Sequence, residues 1–187
     1  AERTAGWGTI GVVSIARVPL MNFIACTLAE HGDAILAIFN EAIATSTALY
    51  DYQPRTRDSM TAWFAAKAAD NYPVIGAVDE DGTLQGFASY GPFRAFPAYK
   101  YTVEHSVYVR GDSRGTGTGK RLLKALIDRA SFNGIHVMIA GIEAENAASI
   151  KLHEKLGFRV VGRFSEVGIK FGRWLDLTCM ELKVPKR

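Results

Sequence analysis

A glycine-rich turn between an apolar segment and a basic amphipathic segment is the feature that most restricts the fold of this chain. The segment RGTGTGKRLLKAL, residues 114–126, places three glycines at alternate positions directly before the amphipathic run. Backbone N–H groups in such a turn, together with the positive end of the helix that follows, favour an anion. The pattern therefore predicts a phosphate-binding turn that opens a helix.

Spacing excludes two common phosphate-binding motifs. A P-loop requires Gly-Lys followed by Ser or Thr, whereas Gly119-Lys120 is followed by Arg121. A dinucleotide-binding turn requires a third glycine three residues after the second, and counting from Gly117 that position holds Lys120. What remains is Arg-Gly-x-Gly-x-Gly-Lys at the start of a helix. The predicted anionic ligand is therefore neither a nucleoside triphosphate bound by a P-loop nor a dinucleotide.

Composition narrows the classes of function. The 187 residues, 48% of them hydrophobic and 22% charged, suffice for one domain with a sizeable core. A net charge of +3 is too small to indicate nucleic-acid binding. The two cysteines and four histidines show neither metal-ligand nor disulfide spacing, and no apolar run is long enough to span a membrane. We expect a cytoplasmic protein without a metal cofactor.

Hydrophobic periodicity predicts one mixed α/β sheet flanked by helices. Residues 1–20 are interpreted as an N-terminal extension and residues 21–187 as the domain. The predicted order is a strand at 23–27, a helix capped at His31-Gly32-Asp33, a helix after Thr56, a hairpin turning at Glu80-Asp81-Gly82, a strand at 103–109, a helix at 120–132, a strand at 135–142, a helix at 146–156 and two closing strands.

Three segments in this order closely resemble the GNAT acyl-coenzyme A N-acetyltransferases. They are the strand SVYV at 106–109, the glycine turn, and ENAASIKLHEKLGF at 145–158. YGPFRAFPAYKYTVEHSVYV at 90–109 and IKFGRWLD at 169–176 are similar to the phosphinothricin and methionine sulfoximine acetyltransferase branch. The resemblance spans roughly residues 22–182. It implies a single-domain GNAT fold and acetyl-CoA as co-substrate.

The resemblance also implies which residues bind acetyl-CoA. Val107, Tyr108 and Val109 would line the pantetheine arm through main-chain hydrogen bonds. The turn would hold the pyrophosphate through Arg114, Gly115, Thr116, Gly117, Thr118, Gly119 and Lys120. Asn146 is expected to bond the pantetheine arm. Since Asn is also a favourable N-cap residue, Asn146 could instead cap the helix, and both roles can hold at once.

Two residues carry the chemistry that the resemblance implies. An amine that attacks a thioester must lose a proton, and the departing thiolate must gain one. The family assigns the first task to the residue at Glu104; the alternative is a solvent-facing glutamate on an edge strand. His153 stands where many GNAT enzymes have a tyrosine that protonates the thiolate. Its imidazole can donate that proton near neutral pH or only polarise the site.

For the acceptor, the resemblance implies a small amino-acid analogue such as phosphinothricin, methionine sulfoximine or methionine sulfone. Arg94 is expected to hold its carboxylate, whereas Phe96 replaces a second basic residue and weakens the expectation of tight phosphinothricin binding. Tyr50, Tyr99 and Trp174 are pocket or core residues, and His105 completes the expected acceptor site. Protein N-termini, polyamines and a non-catalytic CoA-binding module stay open as alternatives. Members of this branch commonly form homodimers, and the aromatic IKFGRWLDL could contribute to such an interface.

Overall fold

A computed structural model describes residues 21–186. The predicted extension, residues 1–20, lies outside the described residues, so the division at residue 20 stays a prediction. The elements follow the predicted order: β1 (Asn22–Ala25), α1 (Leu28–Thr45), α2 (Arg57–Ala69), β2 (Val74–Val78), β3 (Leu84–Pro92), β4 (Thr102–Val109), α3 (Thr118–Phe132), β5 (Val137–Glu143), α4 (Ala147–Glu154), β6 (Arg159–Lys170) and β7 (Arg173–Lys183).

The start of α1 differs from the prediction. The helix begins at Leu28 and is capped by Thr27, so a cap at 31–33 is wrong, and β1 ends earlier, at Ala25. Thr27 Oγ1 accepts a hydrogen bond from the backbone N–H of Glu30 at 3.2 Å, and the Thr27 N–H donates to His31 Nδ1 at 3.1 Å. Thr is a favourable N-cap residue, and the cap at Thr27 lies four residues before the start of the predicted cap at His31.

The strands form a seven-stranded sheet in the order β1-β2-β3-β4-β5-β7-β6. Every neighbouring pair is antiparallel except β4 with β5. The β4–β5 ladder contains only three residue pairs and ends at Glu104–Ile139, whereas β4 stays paired with β3 as far as Val109. Beyond Glu104 the two central strands therefore diverge. The edge of β4 that faces β5 has no strand partner there among the described residues.

Helices cover both faces of the sheet, and strand alternation assigns each side chain to one face. On β3, the fully buried Phe87 packs with Ile35, Phe39 and Met60 of α1 and α2. Its neighbour Ala88 packs in a separate core cluster on the other face, which contains the buried leucines of α3, namely Leu122, Leu123 and Leu126. The predicted single mixed α/β sheet flanked by helices is confirmed.

The packing of α3 on β3 requires a glycine at position 86. A Cβ at Gly86 would lie 2.7 Å from the carbonyl oxygen of Tyr108 and 3.1 Å from Leu122 Cδ1. We predict that Gly86→Ala lowers the free energy of unfolding by about 1–3 kcal/mol, because backbone must move to admit the methyl group. Chemical denaturation measures the loss.

The matched control is Gly162→Ala on β6, where a Cβ would have no heavy atom within 4 Å. Its unfolding free energy should stay within about 0.5 kcal/mol of the parent protein. Equal losses in the two variants would contradict the steric account of Gly86.

Candidate active site

A cavity of about 870 Å³ occupies the gap where β4 and β5 diverge. Its lining comes from the chain between α1 and α2, from the facing segments of β3, β4 and β5, from the glycine turn, and from α4. Of the predicted site residues it includes Tyr50, Glu104, His105, Val107, Tyr108, Val109, Arg114, Gly115, Gly117, Thr118, Gly119, Lys120, Asn146 and His153. One concave surface thus gathers residues from distant parts of the sequence.

The glycine turn presents an uncapped helix N-terminus to this cavity. Gly115 and Gly117 have φ values of +79° and +85°, in the left-handed region that L side chains rarely adopt. Gly117 is the N-cap residue of α3, and no side chain caps the helix. Because the first N–H groups of a helix have no intrahelical acceptor, they can receive anionic oxygens. The turn fits a phosphate-bearing ligand.

Two predicted cofactor residues also stabilise the turn. The Arg114 guanidinium pairs with Glu41 of α1 at 3.2 Å, and its Nε donates to the Val109 carbonyl at 3.3 Å. Glu41 also accepts a hydrogen bond from the N–H of Gly111 at 3.2 Å. Thr116 Oγ1 donates to the Ser113 carbonyl at 2.7 Å, and Thr116 does not line the cavity. Arg114 and Thr116 hold the shape of the turn.

The opened edge of β4 and the start of α4 complete the cofactor side of the cavity. Val107, Tyr108 and Val109 line it along the stretch of β4 that β5 no longer pairs. Backbone groups of such an edge need partners, and a strand-like ligand can provide them. Asn146 caps α4, since its Oδ1 accepts from the Ser149 N–H at 3.1 Å, and Asn146 lines the cavity as well.

Glu104 occupies the point at which the strands separate. Its Oε1 lies 3.2 Å from where a Cβ would stand at Gly141 of β5, so the glycine leaves room for the carboxylate. Burial raises the pKa of Glu104, and the positive charge of Arg94 partly opposes this by lowering it. A carboxylate with a raised pKa is a more effective proton acceptor near neutral pH.

His153 and His105 form a hydrogen-bonded pair at the cavity wall. His153 Nδ1 lies 2.7 Å from the Ser149 carbonyl, which only accepts, so Nδ1 of the neutral ring carries the proton. His153 Nε2 then accepts from His105 Nε2–H across 3.1 Å. His105 Nδ1 is consequently unprotonated, and it is buried without a hydrogen-bond partner in the described structure. Both rings pack edge-on against Phe158.

The electrostatics of the pair follow from its burial. Burial lowers the pKa of His105 to about 3, with a further lowering by His153. Burial also lowers the pKa of His153, and the hydrogen bond to the Ser149 carbonyl partly offsets that. Both imidazoles are therefore neutral near pH 7.

The remaining predicted acceptor residues lie outside the cavity lining. Arg94 is exposed, with its guanidinium 4.5 Å from the Phe93 ring centroid, and Tyr99 packs edge-on against the same ring at 5.6 Å. Phe96 and Trp174 are 70% and 60% exposed. From its exposed position the positive charge of Arg94 still lowers the pKa of Glu104.

Sequence reasoning missed several cavity residues. Lys67 of α2 and Glu143 of β5 line the cavity, and Glu143 accepts a hydrogen bond from Thr47 Oγ1 at 3.2 Å. The sequence offered a signal for Lys67. It lies at helical spacing from Met60 and Trp63, on the face of the helix that is expected to be buried, where a lysine is unusual. Glu143 ends an apolar strand and gave no such signal.

Within residues 21–186, no helix has the length and apolarity that crossing a membrane requires. Nor does that part of the chain bring three His, Cys, Asp or Glu side chains together in a metal-binding arrangement.

The histidine pair predicts a specific pH dependence of stability. The folded-state pKa of His105 lies below its unfolded value of 6.5, so only the unfolded chain gains this proton as the pH falls. Between pH 6.5 and 4.5 the protein should lose up to about 1.4 kcal/mol per pH unit from this residue. Urea denaturation across that range should show a shallower pH dependence in His105→Gln.

The control for this experiment is His136→Gln, which changes an exposed histidine. It should keep the pH dependence of the parent protein. A His105→Gln protein with the parent's pH dependence would show that His105 titrates normally in the folded state.

Comparison with known proteins agrees with the site. Residues 35–158 match the family model described as "Acetyltransferase (GNAT) family". The chain is 52% identical over 150 residues to an L-methionine sulfoximine/L-methionine sulfone acetyltransferase of Pseudomonas paraeruginosa, covering 80% of this chain and 87% of that one. It is 47% identical to an L-amino acid N-acyltransferase of Escherichia coli, over 82% of this chain and 89% of that one.

A solved structure gives the same assignment. It is a GNAT superfamily phosphinothricin acetyltransferase of Sinorhizobium meliloti in complex with acetyl-CoA, with a TM-score of 0.84 and 33% identity, covering 88% of each chain. The glycine turn and the opened edge of β4 agree with the acetyl-CoA that such enzymes use. The chain belongs to the acetyltransferase (GNAT) family and is an acetyl-CoA-dependent N-acetyltransferase.

Proposed function

We propose that this enzyme acetylates the α-amino group of a small amino acid whose side chain ends in a polar, tetrahedral group. Methionine sulfoximine, methionine sulfone and phosphinothricin are the acceptors of this kind. The support is the 52% identity to a methionine sulfoximine and methionine sulfone acetyltransferase over most of both chains. The 36% identity to a phosphinothricin N-acetyltransferase of Streptomyces coelicolor points to the same group of acceptors.

The observation that carries the proposal is the position of Glu104. Its carboxylate stands in the cavity where β4 and β5 separate, and burial raises its pKa. In our proposal Glu104 accepts the proton of the acceptor's ammonium group, directly or through water. The amine becomes nucleophilic at the place where the cofactor and acceptor parts of the cavity meet.

Acetyl-CoA, when bound, supplies the acetyl group as a reactive thioester. Residues of this chain hold and orient it: the turn from Arg114 to Lys120 takes the phosphates, and Val107 to Val109 pair with the pantetheine arm. In our proposal a backbone N–H of the β4 edge donates a hydrogen bond to the oxygen that becomes negative during transfer. Asn146 contributes a polar contact from the start of α4.

For His153 we propose a polarising role beside the departing thiolate. In the neutral pair, its Nε2 accepts from His105 and its Nδ1–H is bonded to Ser149. The ring therefore has no N–H left to donate. Direct protonation of the thiolate requires that the bond to His105 break and that Nε2 first take up a proton.

Arg94, Phe96, Tyr99 and Trp174 are proposed to act at the entrance for the acceptor. Their exposure leaves them accessible to a ligand or to a second subunit. Tyr50 contributes an apolar wall within the cavity, where its ring packs against Gly168. His105 is proposed to act on the acceptor site through its contact with His153.

We propose that the protein forms a homodimer through the outer strands β6 and β7. These strands and the turn between them expose a group of large apolar side chains: Val160, Val161, Phe164, Val167, Ile169, Phe171 and Trp174. Exposed apolar surface of this extent is typical of interfaces.

The dimer has a direct test. Phe164→Asp should shift the molar mass measured by light scattering from about twice 20.4 kDa towards 20.4 kDa, because a buried aspartate destabilises an apolar interface. Phe132→Asp, at a 71% exposed position on α3, is the control and should leave the mass unchanged. A parent protein of 20.4 kDa would contradict the dimer.

A cytoplasmic location is also part of the proposal. Cys26 and Cys179 are both free thiols, which suits a reducing compartment. Burial raises the pKa of Cys26 to about 12, so this thiol is unreactive.

The proposed base predicts the effect of Glu104→Gln. Since glutamine keeps the shape and removes the basic carboxylate, kcat/KM for methionine sulfoximine should fall roughly 100- to 1,000-fold near neutral pH. Thiol release from acetyl-CoA measures the rate, with methionine sulfone, phosphinothricin and spermidine as further acceptors. In the parent protein the activity should rise with pH as Glu104 ionises.

The control is Glu80→Gln, in the exposed turn between β2 and β3, which should keep the parent activity. Full activity of Glu104→Gln would remove Glu104 from its role. Turnover of spermidine in preference to the amino acids would contradict the proposed acceptor.

A further inference from the structure

Lys67 brings a positive charge into the acceptor part of the cavity. It lies on α2, and its Nζ donates to the Tyr90 carbonyl at 2.6 Å. The same Nζ lies 5.3 Å and 5.8 Å from the ring centroids of Trp63 and Tyr72. Lys67 lines the cavity together with Gly91 and Pro92 of β3. Among residues 21–186, no carboxylate oxygen approaches its Nζ within 4.0 Å.

The surroundings of the Lys67 ammonium group disfavour its positive charge. Burial lowers the pKa of Lys67 to about 8, and the positive charge of Arg55 contributes to the lowering. The ammonium group is still mostly protonated at neutral pH, and the Tyr90 carbonyl takes one of its three N–H donors. The negative charge of Asp70 raises the pKa only partly and makes no ion pair with Lys67. A half-buried cation without a paired carboxylate favours the binding of an anion.

The strand register places Lys67 and Glu104 over the same face of the sheet. Gly91 of β3 pairs directly with Glu104 of β4, and directly paired residues project to the same face. A Cβ at Gly91 would lie 3.3 Å from Lys67 Nζ, so the ammonium group occupies the space above Gly91. Paired Cβ positions are about 5 Å apart. The cation and the carboxylate thus stand above neighbouring strand positions.

Arg94, to which the family resemblance assigns the acceptor's carboxylate, has a different environment. It is exposed, its guanidinium stacks on Phe93, and its NH1 donates to the Phe93 carbonyl at 3.4 Å. It does not line the cavity. Ion pairs made by so exposed a side chain are weak because water screens them.

We propose that Lys67 binds the α-carboxylate of the acceptor while Glu104 receives its ammonium group, with Arg94 contributing only at the entrance. An α-amino acid carries both charges on one carbon, which matches a cation and a carboxylate on neighbouring strand positions. The proposal rests on the proposed function, since it takes the acceptor to be an α-amino acid.

The test compares an acceptor with its carboxamide, which lacks the negative charge. Parent protein, Lys67→Met, Lys67→Arg and Arg94→Met are assayed with methionine sulfone and methionine sulfone amide. In Lys67→Met, KM for the acid should rise roughly 10- to 100-fold, and KM for the amide should change little, because the lost contact is a charge-assisted hydrogen bond. Lys67→Arg should recover part of the loss. Arg94→Met should keep most of the parent's preference for the acid.

Thermal unfolding and KM for acetyl-CoA separate this effect from general damage, since both should stay near the parent values in Lys67→Met. An equal loss with acid and amide, or loss of the preference in Arg94→Met alone, would overturn the role of Lys67 and leave the proposed function intact. If the parent protein turns over neither methionine sulfone nor any other amino acid, both the proposed function and the role of Lys67 are wrong.

Discussion

The early end of the β4–β5 ladder is the constraint on which the rest of the site depends. Parallel pairing stops at Glu104–Ile139, yet β4 continues beside β3 to Val109 and β5 continues beside β7 to Glu143. Each strand is thus held on its outer side while the inner sides separate. The separation creates the cavity, leaves backbone groups of β4 available to a ligand, and places Glu104 at its narrow end.

Because side chains alternate along a strand, β4 places Glu104 on one face of the sheet and His105 on the other. Tyr108 packs with Phe39 and Phe87 on the face covered by α1 and α2, and Glu104, four residues earlier, projects to that same face. His105 projects to the other face, where it meets His153 of α4 and Phe158. The proposed base and the histidine pair therefore stand on opposite sides of one strand, each in its own electrostatic environment.

Much of the fold could be predicted from the sequence because its signals are local. Alternate glycines and the apolar stripe of α3 fix the turn, and hydrophobic periodicity gives the order of the elements. The divergence of β4 and β5 has no local signal, since both segments read as ordinary strands. The ion pair of Arg114 with Glu41 joins residues 73 positions apart, and the turn alone could not reveal it. The same limit applies to Lys67. Its place on the helical stripe of α2 does not relate it to Glu104, and only the packing of α2 over Gly91, together with the register of β3 and β4, places the two side chains over neighbouring strand positions.

The arrangement of charges bears on how Glu104 can remain a base. A cation in direct contact would stabilise the carboxylate and lower its pKa, which would weaken it as a proton acceptor. The exposed Arg94 lowers the pKa of Glu104 in this way. The burial of Glu104 raises its pKa by more, so the pKa stays above its ordinary value. In the proposed complex the acceptor's own carboxylate neutralises Lys67, so this second cation does not depress the pKa of Glu104. Binding of an amino acid would then supply the amine and preserve the basicity needed to deprotonate it.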